Sequence, residues 1–451
     1  MVEDGRPVRY GPGKIIRVYV VTNALFTLSA SLIWAINTLF LIRAGGMSLS
    51  LVFVINAAYT ASQMLCEVPT GVIADTLGRK LSFLLSIGIL VISTLVYVLS
   101  AQYHWGFWGF IVGSVLLGLG FTFQTGAVDA WMVDALDATG YEGPKERVFA
   151  LSAEASGAML VVGPLLGGVL GGVSLLLPYY LRSVALVGAF VAVAVSMREV
   201  GFTPRPLSLG TFGSETRAIA AAGVRFGWRS RAVRPLLWIS ALQGLFMMYG
   251  FYSLSPWLLQ LLGRDYVWLT GAVFSVFSLA GIAGNMVVRR SSAARADGPP
   301  RDAARLLAVL GTVTAVLIGV AGVCGVAARG AAGLLPFLAV AGAWVGVGFV
   351  MGMAGPIASA YINAHIPSAQ RATVLSLSSL FGDAGGVAGQ PALGYGAQAF
   401  GIAPTWVISG LIMLGVAPLY RASGRAALLE QMAADENAGG GAPFESRPAG
   451  S

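Results

Sequence analysis

Residues 67–80 read Glu-Val-Pro-Thr-Gly-Val-Ile-Ala-Asp-Thr-Leu-Gly-Arg-Lys, with a long apolar run on each side. Gly71, Asp75, Gly78, Arg79 and Lys80 make this a tight polar turn between two hydrocarbon-length segments. Runs of about 20 apolar residues, the length that crosses ~30 Å of hydrocarbon, recur outward from it. Twelve are read, near 18–42, 51–74, 81–100, 107–132, 148–170, 175–197, 235–261, 266–288, 306–327, 335–360, 372–397 and 402–421. Of the 451 residues 56% are hydrophobic and 11% charged, with a mean hydropathy of +0.78. Soluble domains carry roughly 25% charged residues, so this is not an ordinary soluble protein. Sixty glycines suit closely packed membrane helices.

A net charge of +8 raises nucleic acid as a partner, but the distribution of charge argues against it. With the amino terminus taken as cytoplasmic, 24 of the 28 lysines and arginines fall on inside segments; Arg43, Arg182, Arg264 and Arg329 are left at or near the outer side. That is a positive-inside bias, which places both termini in the cytoplasm of a multi-pass plasma or inner-membrane protein. Cys66 and Cys324 fall inside spans, so no disulfide framework is expected. The first apolar run is about 25 residues, longer than a signal-peptide core, and reads as a retained span.

Six spans (18–197) precede a polar stretch at 198–234, and six (235–421) follow it, with a cytoplasmic segment at 1–17 and an expected disordered tail at 422–451. The halves echo each other. Arg147 stands four residues before Leu151-Ser152, and Arg371 four before Leu375-Ser376. From Ser214 to Arg231 the bridge reads as an interfacial helix in preference to a flexible linker.

The pattern Gly71-x-x-Ala-Asp75-x-x-Gly78-Arg79-Lys80 resembles motif A of the major facilitator superfamily, with Ile73 where Leu is commoner. The resemblance covers about residues 15–421. It implies an all-α integral membrane fold of 12 transmembrane helices in two pseudo-symmetric six-helix bundles. It also implies a gate: the aspartate docks against the start of span 11, and the arginine pairs with an acid at the inner end of span 4, here Asp134. The alternative for the loop is mere positive-inside statistics. Gly163-Pro164-Leu165-Leu166-Gly167-Gly168 resembles motif C, associated with proton-coupled antiporters, although Met159 replaces its upstream glycine; a close-packing helix is the plainer reading. Span 4 lacks the intramembrane arginine of motif B. Its stretch Gln124–Asp134 is similar to tetracycline- and macrolide-type exporters, the drug:proton antiporter branch.

An acid at mid-bilayer costs ~2.5–3.5 kcal/mol on insertion scales, so acids inside spans are functional candidates. Glu67 is read either as a proton carrier or as a capped group in a network with Thr70 or Gln63. Asp129 lies about 140° round the helix from Asp134 and so faces a cavity or a seam. Glu154 is a second proton site or an ordinary buried partner, and Asp383 is expected near the Asp75 gate. Candidates for the substrate cavity are Asn23, Trp34, Asn37, Tyr59, Gln63, Phe123, Gln124, Gln243, Met247, Met248, Tyr249, Phe251 and Tyr252, since aromatic and methionine side chains repack around varied apolar ligands. No dense basic cluster on the spans suggests a polyanionic substrate.

Proton-coupled efflux of a small amphipathic organic compound, such as an antibiotic or secondary metabolite, is the leading expectation; a proton-linked importer of a small metabolite is the alternative. The expected partners are a small-molecule substrate, protons and the bilayer, with no nucleic acid and a monomeric state. No enzyme activity, cofactor or metal is expected: there is no GxxxxGK[ST] loop, and His104 and His365 are the sole histidines.

Overall fold

The computed structural model describes every residue except 1, 4–5, 8–9, 203–226, 264, 293–299, 329–332, 366–367 and 440–451. The bridge helix expected from Ser214 therefore lies almost wholly outside the described residues, as do Arg264 and Arg329. Apart from a two-residue strand pairing near the start, the chain is helical.

Span 1 is split into α1 (Pro12–Ser31) and α2 (Asn37–Arg43). Spans 2 and 3 are α3 (Leu49–Leu77) and α4 (Arg79–Gln102). Span 4 is split into α5 (Gly106–Gln124) and α6 (Ala127–Ala138). Spans 5 and 6 are α7 (Lys145–Val173) and α8 (Leu177–Ser196). The second half repeats the count with α9 (Val233–Leu262), α10 (Val267–Ser292), α11 (Pro300–Ala327), α12 (Leu334–His365) and α13 (Ser368–Phe400), then a split span 12, α14 (Ile402–Met413) and α15 (Val416–Gly439).

Ten of these segments meet the length and hydropathy of a membrane crossing among the described residues. The other two are span 1, interrupted at residues 32–36, and span 11, diluted by glycine, serine and Asp383. Both pack among the ten.

The pairing of spans shows the duplication that the sequence hints at. In the first half span 1 packs on 5 and 6, span 4 on 2 and 3, and span 3 on 6. In the second half the same relations recur: 7 on 11 and 12, 10 on 8 and 9, and 9 on 12. The halves meet along two principal seams, span 5 against 8 and span 2 against 11. Each seam becomes the other when six is added to or subtracted from its span numbers, as a pseudo-two-fold requires.

Each half has its own aromatic core. In the second, Trp406 packs on Trp257 (4.8 Å between ring centroids), Phe246 (5.4 Å) and Trp344 (5.6 Å), and all four are buried. In the first, Phe26 meets Phe83 at 5.9 Å and Phe121 at 5.6 Å. The expected tail is corrected in part: α15 continues to Gly439, so 422–439 is helical and 440–451 lies outside the described residues. Ala426-Ala427-Leu428-Leu429-Glu430-Gln431-Met432-Ala433-Ala434 are strong helix formers, and that propensity outweighs the polar composition.

Candidate functional site

The face that carries the 67–80 turn also carries the start of α1 and the end of α15; it is called here the terminal face, and the opposite one the far face. On the far face both seams are tight. Gly168 lies so close to Gly271 that a Cβ on it would stand 2.8 Å from the Gly271 Cα. Gly163 and Gly167 pack against Ser31 and the Leu32 carbonyl, where span 1 breaks, and leave no room for a methyl. Ser31 Oγ donates to Met159 O at 3.0 Å, and Ser275 Oγ donates to Val161 O at 2.6 Å. The motif-C-like stretch thus touches both the broken helix of its own half and a helix of the other. Across the second seam Phe53 stacks near Tyr249 (5.1 Å) and abuts Gly394, and Gln390 Nε2 donates to Thr60 Oγ1 at 3.0 Å.

Toward the terminal face the seams loosen. At Gly157 a Cβ would meet only Ile282, at the ordinary contact distance of 3.7 Å. On α3, Glu67, Gly71 and Asp75 recur at four-residue spacing on one stripe. Glu67 is exposed, and a Cβ on Gly71 would meet nothing within 4 Å.

Between the tight and looser ends lies a cavity of about 60 Å³. Trp34 and Asn37, from the break in span 1, line it together with Tyr59, Phe251, Tyr252 and Arg182. Discontinuous helices often build transporter sites, because unwound backbone is tolerated only where it lines a cavity. Here the freed Ala35 carbonyl accepts a 2.6 Å hydrogen bond from Ser255 Oγ of span 7. Asn37 is held by Tyr179, whose hydroxyl donates to Oδ1 at 2.8 Å, and donates through Nδ2 to Asn56 Oδ1 at 3.1 Å.

Five of the expected cavity residues, Trp34, Asn37, Tyr59, Phe251 and Tyr252, line this space, and Gln63 lies within hydrogen-bonding reach of Tyr59. The others sit elsewhere. Asn23 donates to Ser152 Oγ across spans 1 and 5 at 3.0 Å. Tyr249 is buried against Phe53, and Gln243 lies near Tyr420 of span 12. Phe123 is buried at the base of span 4 beside Ser82, with Gln124 next to it at the end of α5, and Met247 is half-buried against the large hydrophobic core. Periodicity alone does not say which side of a helix faces the centre of a bundle.

At the terminal face, Gly78 (φ +108°) both ends α3 and precedes α4, a backbone conformation that favours glycine. It sets Arg79 between Asp75 (3.5 Å) and Asp134 of α6 (3.2 Å). The Glu199 carboxylate, beyond span 6, accepts from the backbone N–H of Arg79 (3.1 Å) and of Lys80 (3.0 Å), capping α4, while Lys80 Nζ donates to Ala194 O at 2.9 Å. Nearby, Tyr10 donates to Ser196 O at 2.7 Å; burial raises its phenol above the ordinary value, opposed by a hydrogen bond from the Arg198 N–H.

Asp129 accepts from Tyr19 Oη at 2.6 Å, on the seam between spans 1 and 4 and away from Asp134. The positive φ of Gly126 (+73°) starts α6 afresh, and the five residues between the two acids on that one helix turn them to different neighbours. Glu154 is exposed on α7, not a buried partner.

Asp383, expected at the gate, instead lies within electrostatic reach of Glu67, eight residues along α3 from Asp75. The antiparallel register of α3 and α13 sets this. Moving from Glu67 to Asp75 moves the facing position on α13 to about Leu375, in the early part of that helix.

A match to the family model described as Major Facilitator Superfamily spans residues 19–328, most of the chain. The chain belongs to the Major Facilitator Superfamily. No curated protein matches it significantly. Among solved structures it is similar to a POT family transporter in complex with a thioalcohol-conjugated peptide (TM-score 0.69, 14% identity, 93% of this chain and 96% of that one covered). It is also similar to the peptide transporter POT in complex with sulfate (0.68, 16%, 94% and 97%). The nucleoside transporter NupG is comparably alike (0.69, 11%, 92% and 99%). At these identities the likeness is one of fold. This superfamily member is a multi-pass membrane transporter, not an enzyme.

Sequence pattern does not single out Tyr19, Arg182 or Glu199 in this facilitator. Arg182, expected at or near the outer side, is 1% exposed and lines the cavity. The one available signal was an arginine interrupting an apolar run only five residues after that run's helix begins.

Proposed function

We propose that this facilitator exports a small amphipathic organic compound in exchange for protons, by rocking its halves about the central cavity. The observation that carries the reading is the pair of equivalent seams, zipped on the far face and looser on the terminal face around that cavity. With the terminal face cytoplasmic, as the distribution of lysine and arginine suggests, this is the inward-facing state. Substrate enters from the cytoplasm and lies against Trp34, Phe251 and Tyr252, with Asn37 and Tyr59 supplying polar contacts.

Closure on the cytoplasmic side brings Glu67 and Asp383 together. Two carboxylates forced into one seam repel unless one holds a proton, so this pair couples proton binding to the conformational cycle. Asp129, held by Tyr19, is a second candidate. Asp75 and Arg79 form a latch that meets the early turns of α13 when the inner mouth shuts. The motif-C-like contacts of Gly163, Gly167 and Gly168 support export. A proton-linked importer of a small metabolite is the second reading, favoured by the likeness to a peptide and a nucleoside transporter.

The test is efflux of a fluorescent amphipathic compound panel from right-side-out cells, and its transport in proteoliposomes with an imposed pH gradient. Gradient-driven export is expected in wild type. Glu67→Gln and Asp383→Asn should keep substrate exchange but lose gradient drive by tenfold or more, and Asp129→Asn by less. Transport indifferent to the gradient rejects coupling, and accumulation that rises with expression level points to import.

A further inference from the structure

Arg182 brings an unbalanced charge to the wall of the cavity. It lies about 8 Å along α8 from the far end, at 1.5 Å per residue. An arginine at that depth can snorkel to the surface, yet this one turns inward and is buried. Its Nε donates to Thr94 Oγ1 at 3.0 Å and its Nη1 to Ser29 O at 3.1 Å, both neutral acceptors. Nη2 is buried without a hydrogen-bond partner. The ionisable groups that act on the guanidinium are the phenols of Tyr179, Tyr59 and Tyr97, and no carboxylate forms an ion pair with it among the described residues. A buried charge is ordinarily paired. Arg182 therefore lines the cavity with its charge unmatched by any acid among the described residues, and its buried Nη2 becomes available to a ligand when the wall gives slightly.

We propose that Arg182 is the anion-binding position of the central cavity, and that the compound carried is a monoanion: one carboxylate on an aromatic or otherwise apolar body. The proposal rests on reading the cavity as the substrate site and supplies its missing specificity. One uncompensated positive charge and one unpartnered nitrogen match a single carboxylate better than a phosphate dianion. The space of about 60 Å³ suits a carboxylate and not a whole drug-sized molecule, so the body of the ligand extends past Trp34 and Phe251 toward the terminal face. Trp34 and Phe251, edge to face at 5.5 Å, give it an aromatic wall. Thr94 and Ser29 hold the guanidinium in place without neutralising it.

The test uses the full chain in nanodiscs, without any gradient, and reads tryptophan quenching by arylcarboxylates of one to three fused rings beside their primary amides, with chloride as competitor. Wild type should bind at least one acid about tenfold or more tighter than its amide, the scale of a lost charge-assisted hydrogen bond. Arg182→Gln should abolish that preference, so that acid and amide bind alike, and Arg182→Lys should retain part of it. Equal binding of acids and amides, or binding of neither, overturns the proposal; so does undiminished acid preference in Arg182→Gln. Chloride binding that depends on Arg182, without acid preference, assigns the position to an inorganic anion and overturns the substrate claim. The acid–amide comparison in wild type stands even if Arg182→Gln fails to fold. Because no gradient is present, failed proton coupling in proteoliposomes leaves this result intact, and the converse also holds.

Discussion

On the far face the two halves meet through glycine backbone and aromatic rings, whereas at the terminal face the seams loosen among carboxylates, a guanidinium and backbone amides. Gly168 against Gly271 and Phe53 against Gly394 are contacts that water and salt hardly touch. Asp75, Arg79 and Asp134 remain partly exposed, and Glu199 caps its helix at the surface. The contrast teaches how one fold can close at either end. Close packing demands complementary shape along a whole seam, while a small ionic cluster can be made and broken by local motion. Exposed ion pairs are worth only ~0–1 kcal/mol, and a switch needs contacts of that order.

The hardest blow to this contrast is a side chain in the far seam. Gly168→Val pushes methyls into the Gly271 backbone, at an overpacking cost of ~1–3 kcal/mol borne by the state closed there. Transport in proteoliposomes should fall more than tenfold, and thiol reagents should reach far-face positions more readily. Wild-type transport in Gly168→Val would show that the seam has slack. Next comes the latch. Asp75→Asn should insert normally and keep its melting temperature, yet lose most transport because the inner mouth no longer holds shut; unchanged resistance in a pump-deficient host removes that role. Smallest is Glu199→Gln, which weakens the acceptor for two N–H groups. A loss of ~0.5–1 kcal/mol of stability is expected, with transport reduced less than threefold, as read by thermal unfolding beside uptake.

Much of the fold was legible because hydrocarbon thickness imposes a length on each span, and most helix boundaries fall close to those read from hydropathy. Terminal-face ends were read short: α11 begins at Pro300, α12 ends at His365 and α15 runs on to Gly439, helix turns that continue past the apolar run. Breaks at residues 32–36 and at Gly126 were invisible to a hydropathy window, although Trp34 and Asn37 owe their place in the cavity to the first of them. The ion pair of Asp75 and Arg79 was partly legible because the two lie four residues apart. Asp383 was not, since its neighbour is set by the register of two helices from opposite halves. Arg182 was missed for a related reason: an arginine near the end of a span reads as surface until the rotation of its helix is known.

The most direct measurement is a pair of spin-label distances by pulsed electron resonance, with Cys66 and Cys324 replaced by serine. One pair, at Leu77 and Leu375, spans the looser seam at the terminal face; the other, at Val173 and Tyr266, spans the zipped seam at the far face. Adding transported substrate and shifting pH should shorten the first distance in a fraction of molecules and lengthen the second in the same fraction. Two distances that stay fixed, or that lengthen together, contradict alternating closure about the cavity.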